Sequence, residues 1–130
     1  MTYGRTVIVD GSVDGVLPRV RSALKEQGFG VLTEIDVKAT LKEKLGADVE
    51  PYVILGACNP GLAHRALQAE PDIGLLLPCN VIVRTHGDRV VVSAMDPSLM
   101  SEITENPELP GIAEEATKLL DAALETVERG

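Results

Sequence analysis

Apolar residues recur along this chain with two different periods, and the switches between them divide it. Residues 3 to 9 (YGRTVIV) are rich in β-formers and run into Asp10-Gly11, a turn dipeptide, which predicts a first strand. From Val16 the apolar positions fall at 16, 17, 20, 23 and 24, the helical spacing, and Gly28 stands where a C-terminal cap is wanted. Pro18 lacks an amide hydrogen and so belongs in a first turn. That predicts a helix from about Gly15 to Gln27, with Ser12 and Asp14 in the loop before it. Phe29 to Ile35 reads as a second strand. Asp36 is a good N-cap for VKATLKEKL, whose Val37, Leu41 and Leu45 form a narrow stripe closed by Gly46. This helix is expected to be short and mostly solvated.

Tyr52 to Cys58 is almost wholly apolar, as a central or covered strand is, and Pro51 can stand only at its first position. Asn59-Pro60 then pairs an N-cap with proline at the first helical position, where the missing amide costs nothing. A helix follows to about Ala69, ended by Glu70-Pro71; Ile73 to Leu77 is too short to assign. Cys79 to Arg84 and Arg89 to Ala94 alternate around Thr85-His86-Gly87-Asp88, which predicts a hairpin with a four-residue loop. Asp96-Pro97 repeats the cap-then-proline pattern and predicts one or two helical turns through Met100. The last helix, about Pro110 to Glu128, gathers Ile112, Ala116, Leu119, Leu120, Ala123, Leu124 and Val127 on one face and acids on the other.

One domain over residues 1–130 is the natural reading of that length, and 45% apolar residues suffice for its core. The element order predicts an α+β, two-layer sandwich: a five-stranded, mainly antiparallel sheet with the two long helices on one face and short helices in the connections. A doubly wound parallel sheet is the alternative. With no Trp, one Phe and two Tyr the core must be aliphatic, and stacking platforms for bases are missing. A net charge of −8 leaves phosphate neutralisation without a source, so neither nucleic acid nor an anionic membrane surface is expected as a partner. No apolar run approaches the roughly 20 residues that span a bilayer, and MTYGRTVIVDGSVDG lacks the basic start and long apolar region of a secretion signal. A cytoplasmic protein with two reduced thiols is the expectation.

The motifs Gly56-Ala57-Cys58-Asn59-Pro60, Ala63-His64-Arg65-Ala66-Leu67, Glu70-Pro71 and Gly74-Leu75-Leu76-Leu77-Pro78-Cys79-Asn80-Val81 resemble those of the bacterial and archaeal family known as domain of unknown function 302. Asp36 to Gly46 and Val92-Ser93-Ala94-Met95-Asp96-Pro97 extend the likeness over nearly the whole chain. The resemblance implies a β-α-β4-α fold similar to the TATA-box-binding-protein-like class, and a homodimer. It implies neither DNA binding nor any catalytic role.

Candidate chemistry is concentrated between Tyr52 and Arg84, where both cysteines lie and each is followed by asparagine: Cys58-Asn59 and Cys79-Asn80. Cys58 ends a strand and Asn59-Pro60 opens a helix, so its thiol should sit beside free amides and the positive end of the helix dipole, a setting that lowers a thiol pKa and binds anions. His64 follows one turn later, and side chains on a helix lean toward its N-terminus. If the strands of Cys58 and Cys79 are antiparallel neighbours, the two Cys-Asn pairs share one edge of the sheet. Four readings stay open. The cysteines are buried hydrophobes and the asparagines caps, leaving an interaction module. Cys58, Asn59, His64, Cys79 and Asn80 line a pocket for a small molecule or anion. Cys58, His64 and Cys79 hold a soft metal, with a fourth ligand supplied by a dimer. Cys58 is the nucleophile or redox thiol of an enzyme. No cofactor pattern is present, and no phosphate loop or dinucleotide glycine motif. Glu34 and Asp36, two apart on a strand, are more simply an exposed acid and a cap than an acid/base pair; His86 is expected to be solvated, and Asp96 to cap.

Overall fold

The computed structural model describes residues 2–130, and its strands β1 (Gly4–Asp10), β2 (Gly30–Asp36), β3 (Tyr52–Cys58), β4 (Cys79–His86) and β5 (Arg89–Met95) make one sheet of order β1-β5-β4-β3-β2. All four neighbouring pairs are antiparallel, which rules out the parallel alternative and gives the β-α-β4-α arrangement. The helices are α1 (Val13–Glu26), α2 (Val37–Leu45), α3 (Pro60–Ala69), α4 (Ser98–Thr104) and α5 (Leu109–Arg129), with a 3-10 turn at Pro71–Leu76.

Alternation along the strands sends Val9, Leu55, Val81, Val83, Val90 and Val92 to one face, where they meet Val16, Val20 and Leu24 of α1 and Leu120, Leu124 and Val127 of α5. This is the main core, and it is aliphatic apart from Phe29. Ion pairs fasten the two helices at its margins: Arg5 of β1 donates two hydrogen bonds to Asp121 of α5, the second at 2.6 Å from Nη2, and Arg21 of α1 pairs with Glu34 of β2. Bonding to the Asp121 carboxylate raises the Arg5 pKa above its ordinary value. On the other face Ile35, Ile54 and Ile82 stand side by side on β2, β3 and β4, and Ile8 stands opposite Val91. These isoleucines belong to neither core cluster, and Ile8 and Ile35 are 38% and 47% exposed.

Helix α1 begins at Val13 and not near Gly15. Ser12 caps it, its Oγ accepting from the Gly15 amide at 3.1 Å, and Val13 and Val16 are both buried, so the first turn forms around them and pushes Pro18 into the second turn. One intrahelical bond is forgone, but Asp14, whose carbonyl would have received it, is at an exposed position where water can replace the amide. At the far end the Phe29 amide donates to Leu24 O and the Gly28 amide to Lys25 O, with Gly28 at φ 83, a Schellman ending that turns Phe29 into the core.

The β4–β5 hairpin is tighter than the sequence pattern predicts. His86 pairs with Arg89, leaving only Gly87-Asp88 between the strands, and Gly87 takes φ 62, the positive angle that the first position of a two-residue turn demands. Helix α4 runs past Met100 to Thr104; its N-cap position is Pro97 and not Asp96, whose Oδ1 instead accepts from the Ser98 amide at 3.0 Å in the turn leading into the helix. Helix α2 buries no residue and ends at Gly46 with φ 67, as its narrow stripe and closing glycine imply.

Between β3 and β4 the chain leaves the sheet. Helix α3 and the 3-10 turn fold over the end of these strands, and Leu62, Ala66 and Ile73 pack with Cys79, Met100, Leu109, Ile112 and Ala116 into a second apolar cluster.

Candidate functional site

The two clusters do not close completely against each other. A cavity of about 360 Å³ remains between them, bounded by Ala57, Cys58 and Asn59 at the end of β3, by Leu62, Ala63, Ala66 and Leu67 of α3, and by Leu77, Pro78 and Cys79 leading into β4. Phe29 and Leu32 approach from β2 and the segment before it, Gly74 from the 3-10 turn, and Met100, Ile112 and Ala116 from the C-terminal helices. The volume lies within the roughly 300–1,000 Å³ typical of small-molecule pockets.

Strand pairing brings the thiols here. Ala57 is the register partner of Cys79, so Cys58 and Cys79 come from adjacent ends of neighbouring antiparallel strands and both line the cavity. Neither is in a disulfide; Cys58 is half-buried and Cys79 buried. Burial pushes the Cys79 thiol up to about 11 from 9.0, and the neighbouring Cys58 adds to the rise. A thiol of this kind stays protonated at neutral pH and behaves as a small hydrophobe.

Asn59 also lines the cavity, yet its polar atoms are engaged elsewhere. Its Oδ1 accepts from the Leu62 amide at 3.3 Å as the cap of α3, and its Nδ2 donates to Gln27 O at 3.5 Å, where α1 ends. The glycine of the Schellman ending makes room for this contact, since a Cβ on Gly28 would stand 3.1 Å from Asn59 Nδ2. The cap therefore both starts α3 and ties it to α1.

Two of the five residues grouped by sequence fall outside the cavity wall. His64 is exposed: Leu62 and Ala66 are the buried positions of α3, and a residue two places from each looks the other way. Asn80 is exposed because it follows the buried Cys79 in a strand, where successive side chains take opposite faces. Among the described residues no three His, Cys, Asp or Glu side chains are placed to hold a metal ion, so Cys58, Cys79 and His64 do not converge as a ligand set. The carboxylates of Glu34 and Asp36 have structural partners, Arg21 and the Ala39 amide at the start of α2. His86 is exposed at the hairpin.

The rest of the wall, Phe29, Leu32, Met100, Ile112 and Ala116, comes from segments remote in sequence from the Cys-Asn pairs. Among the described residues no charged side chain lines the cavity, and the polar atoms at its edge that are hydrogen-bonded point into the protein. Such a space can desolvate apolar surface, hold a molecule beside a thiol, and offer little to an ion.

Comparison with known proteins was made against this geometry. Residues 5–127 match the family described as Domain of unknown function DUF302. The chain is also similar to a crystal structure described as an uncharacterized conserved protein DUF302 from Bacillus stearothermophilus, at 32% identity and a TM-score of 0.91, with 98% of this chain and 100% of that chain covered. Comparison with curated proteins gave no match.

Proposed function

The chain belongs to the family Domain of unknown function DUF302, and on that premise we propose that it binds a small, largely apolar molecule in the cavity beside Cys58 and Cys79. The observation that carries this reading is the wall itself: about 360 Å³ bounded by aliphatic and thiol groups, with no charged side chain. Burying apolar surface yields roughly 25 cal/mol per Å², whereas a polar group placed there without a partner costs about 1–3 kcal/mol. An anion or a metal ion is the poorer occupant on the same grounds, since Asn59 already takes the Leu62 amide and His64 is turned to solvent.

A thermal-shift panel of apolar, acidic and metal probes tests the proposal. Apolar probes should raise the melting temperature, the stabilisation reaching about 2.7 kcal/mol at a hundredfold excess over Kd. Ala63→Phe, which places a ring in the space from a half-buried position on α3, should weaken the response to the larger apolar probes. Acidic or metal probes alone stabilising the protein would sink the reading. A thiol-dependent reaction at Cys58 is the second reading, favoured by its partial exposure within the cavity. Cys58→Ser separates the two, because it should leave apolar binding largely intact and remove any covalent product.

Self-association is a separate proposal. The chain carries a net charge of −8, and the row Thr6, Ser93, Ile82, Ile54 and Ile35 across the outer sheet face contains no charge, so two copies meeting there avoid like-charge repulsion. Light scattering should give the mass of a dimer for wild type and of a monomer for Ile54→Lys.

A further inference from the structure

Resting on the cavity reading above, we infer that the ligand is a single aliphatic chain of about a dozen carbons, buried end-on, with its polar end left in solvent at the mouth. Three observations lead there. The volume, about 360 Å³, divided by the roughly 30 Å³ of a water-sized group, accommodates about 12 such groups. The interior offers no charged partner for a headgroup, and Asn59 spends its oxygen on the Leu62 amide and its nitrogen on Gln27 O. The apolar wall also does not stop where the cavity opens: Leu32 and Leu67 line it while remaining 68% and 41% exposed. A compact molecule would fill the interior and leave these leucines wet. A chain threading the mouth covers them.

Calorimetric titration of the full chain with n-alkanols from hexanol to hexadecanol, below their aggregation concentrations, tests this. Affinity should rise about fourfold per added methylene and level off near 12 carbons, where the cavity is full. Dodecanol, dodecanoate and dodecyltrimethylammonium at 0.15 M salt should agree within a few-fold, because the headgroup makes no contact. Leu32→Glu, at a position 68% exposed, should weaken dodecanol several-fold more than it weakens hexanol. Ala63→Phe should move the plateau to shorter chains.

Each other outcome counts against the inference in a distinguishable way. Indole or cyclohexanol binding with no dependence on alkyl length would overturn the chain while leaving an apolar pocket. Affinity following the headgroup would also overturn it, by demanding a polar contact inside. Binding of none of these probes would remove the cavity reading together with the chain.

Discussion

Raising the pH from about 8 to 10 should cost this protein about 1 kcal/mol of stability through Cys79 alone. The thiol is 7% exposed, and its burial moves its pKa from 9.0 to about 11. Because the folded value lies above the unfolded one, the contribution is fully present below pH 9.0, where both states hold the proton. Between 9.0 and about 11 the unfolded chain ionises and the folded one does not, so stability falls as pH rises, toward a total loss of roughly 3 kcal/mol at about 1.4 per pH unit. Urea unfolding of reduced wild type and Cys79→Ala at a series of pH values isolates the effect. The alanine variant pays its own cost for the lost sulfur, but that cost does not change with pH, and every other ionisable group is common to both proteins. The stability difference between the two should therefore shrink by about 1 kcal/mol from pH 8 to 10. Parallel curves would show that the thiol is not shielded, as would Cys79 reacting with iodoacetamide as fast as Cys58 at pH 8.

Three further outcomes follow from the same geometry. Ser12→Ala should destabilise by about 1 kcal/mol in chemical denaturation, through loss of the cap that sets the start of α1; no change would mean the helix can begin at Gly15 after all. Gly28→Ala should cost about 1–2 kcal/mol and weaken binding of apolar probes, since it strains a residue at φ 83 and crowds Asn59 Nδ2. Leu120→Ala, at a position with 0% exposure on the buried face of α5, should cost about 2–5 kcal/mol by calorimetry while leaving the cavity residues in place.

The sheet is legible because its strands carry period-two patterns bounded by turn residues, and the caps are legible because the part that Asp36, Asn59, Gly28 and Gly46 play at a helix end is local. The errors lie where a long-range contact outbid a local rule. Pro18 alone argues for a later helix start, but burial of Val13 and Val16 is worth more than one hydrogen bond. The site was half readable. Antiparallel neighbours explain why Cys58 and Cys79 meet, and the periods that place Leu62, Ala66 and Cys79 inward could also have turned His64 and Asn80 outward. Of the two Cys-Asn pairs, Cys58 and Asn59 both line the cavity, whereas Cys79 and Asn80 part because successive strand residues take opposite faces. Phe29, Met100, Ile112 and Ala116 carry no local mark of their role, since an apolar residue beside a void and one in a packed core look alike in sequence.

Strands β3 and β4 hydrogen-bond directly to each other, although α3 and the 3-10 turn stand between them in the chain. Their register is carried by their own ladder, from Tyr52 opposite Arg84 to Ala57 opposite Cys79, and the excursion over residues 59–78 contributes one wall of the chamber at its end. Substitutions at its half-buried or exposed lining positions, Ala63 and Leu67, can reshape the chamber without touching Leu62, Ala66 and Ile73, which pack the second cluster. The molecule thus joins a rigid platform to a thinner roof, and the roof is where the volume of the chamber can be altered with least disturbance to the sheet.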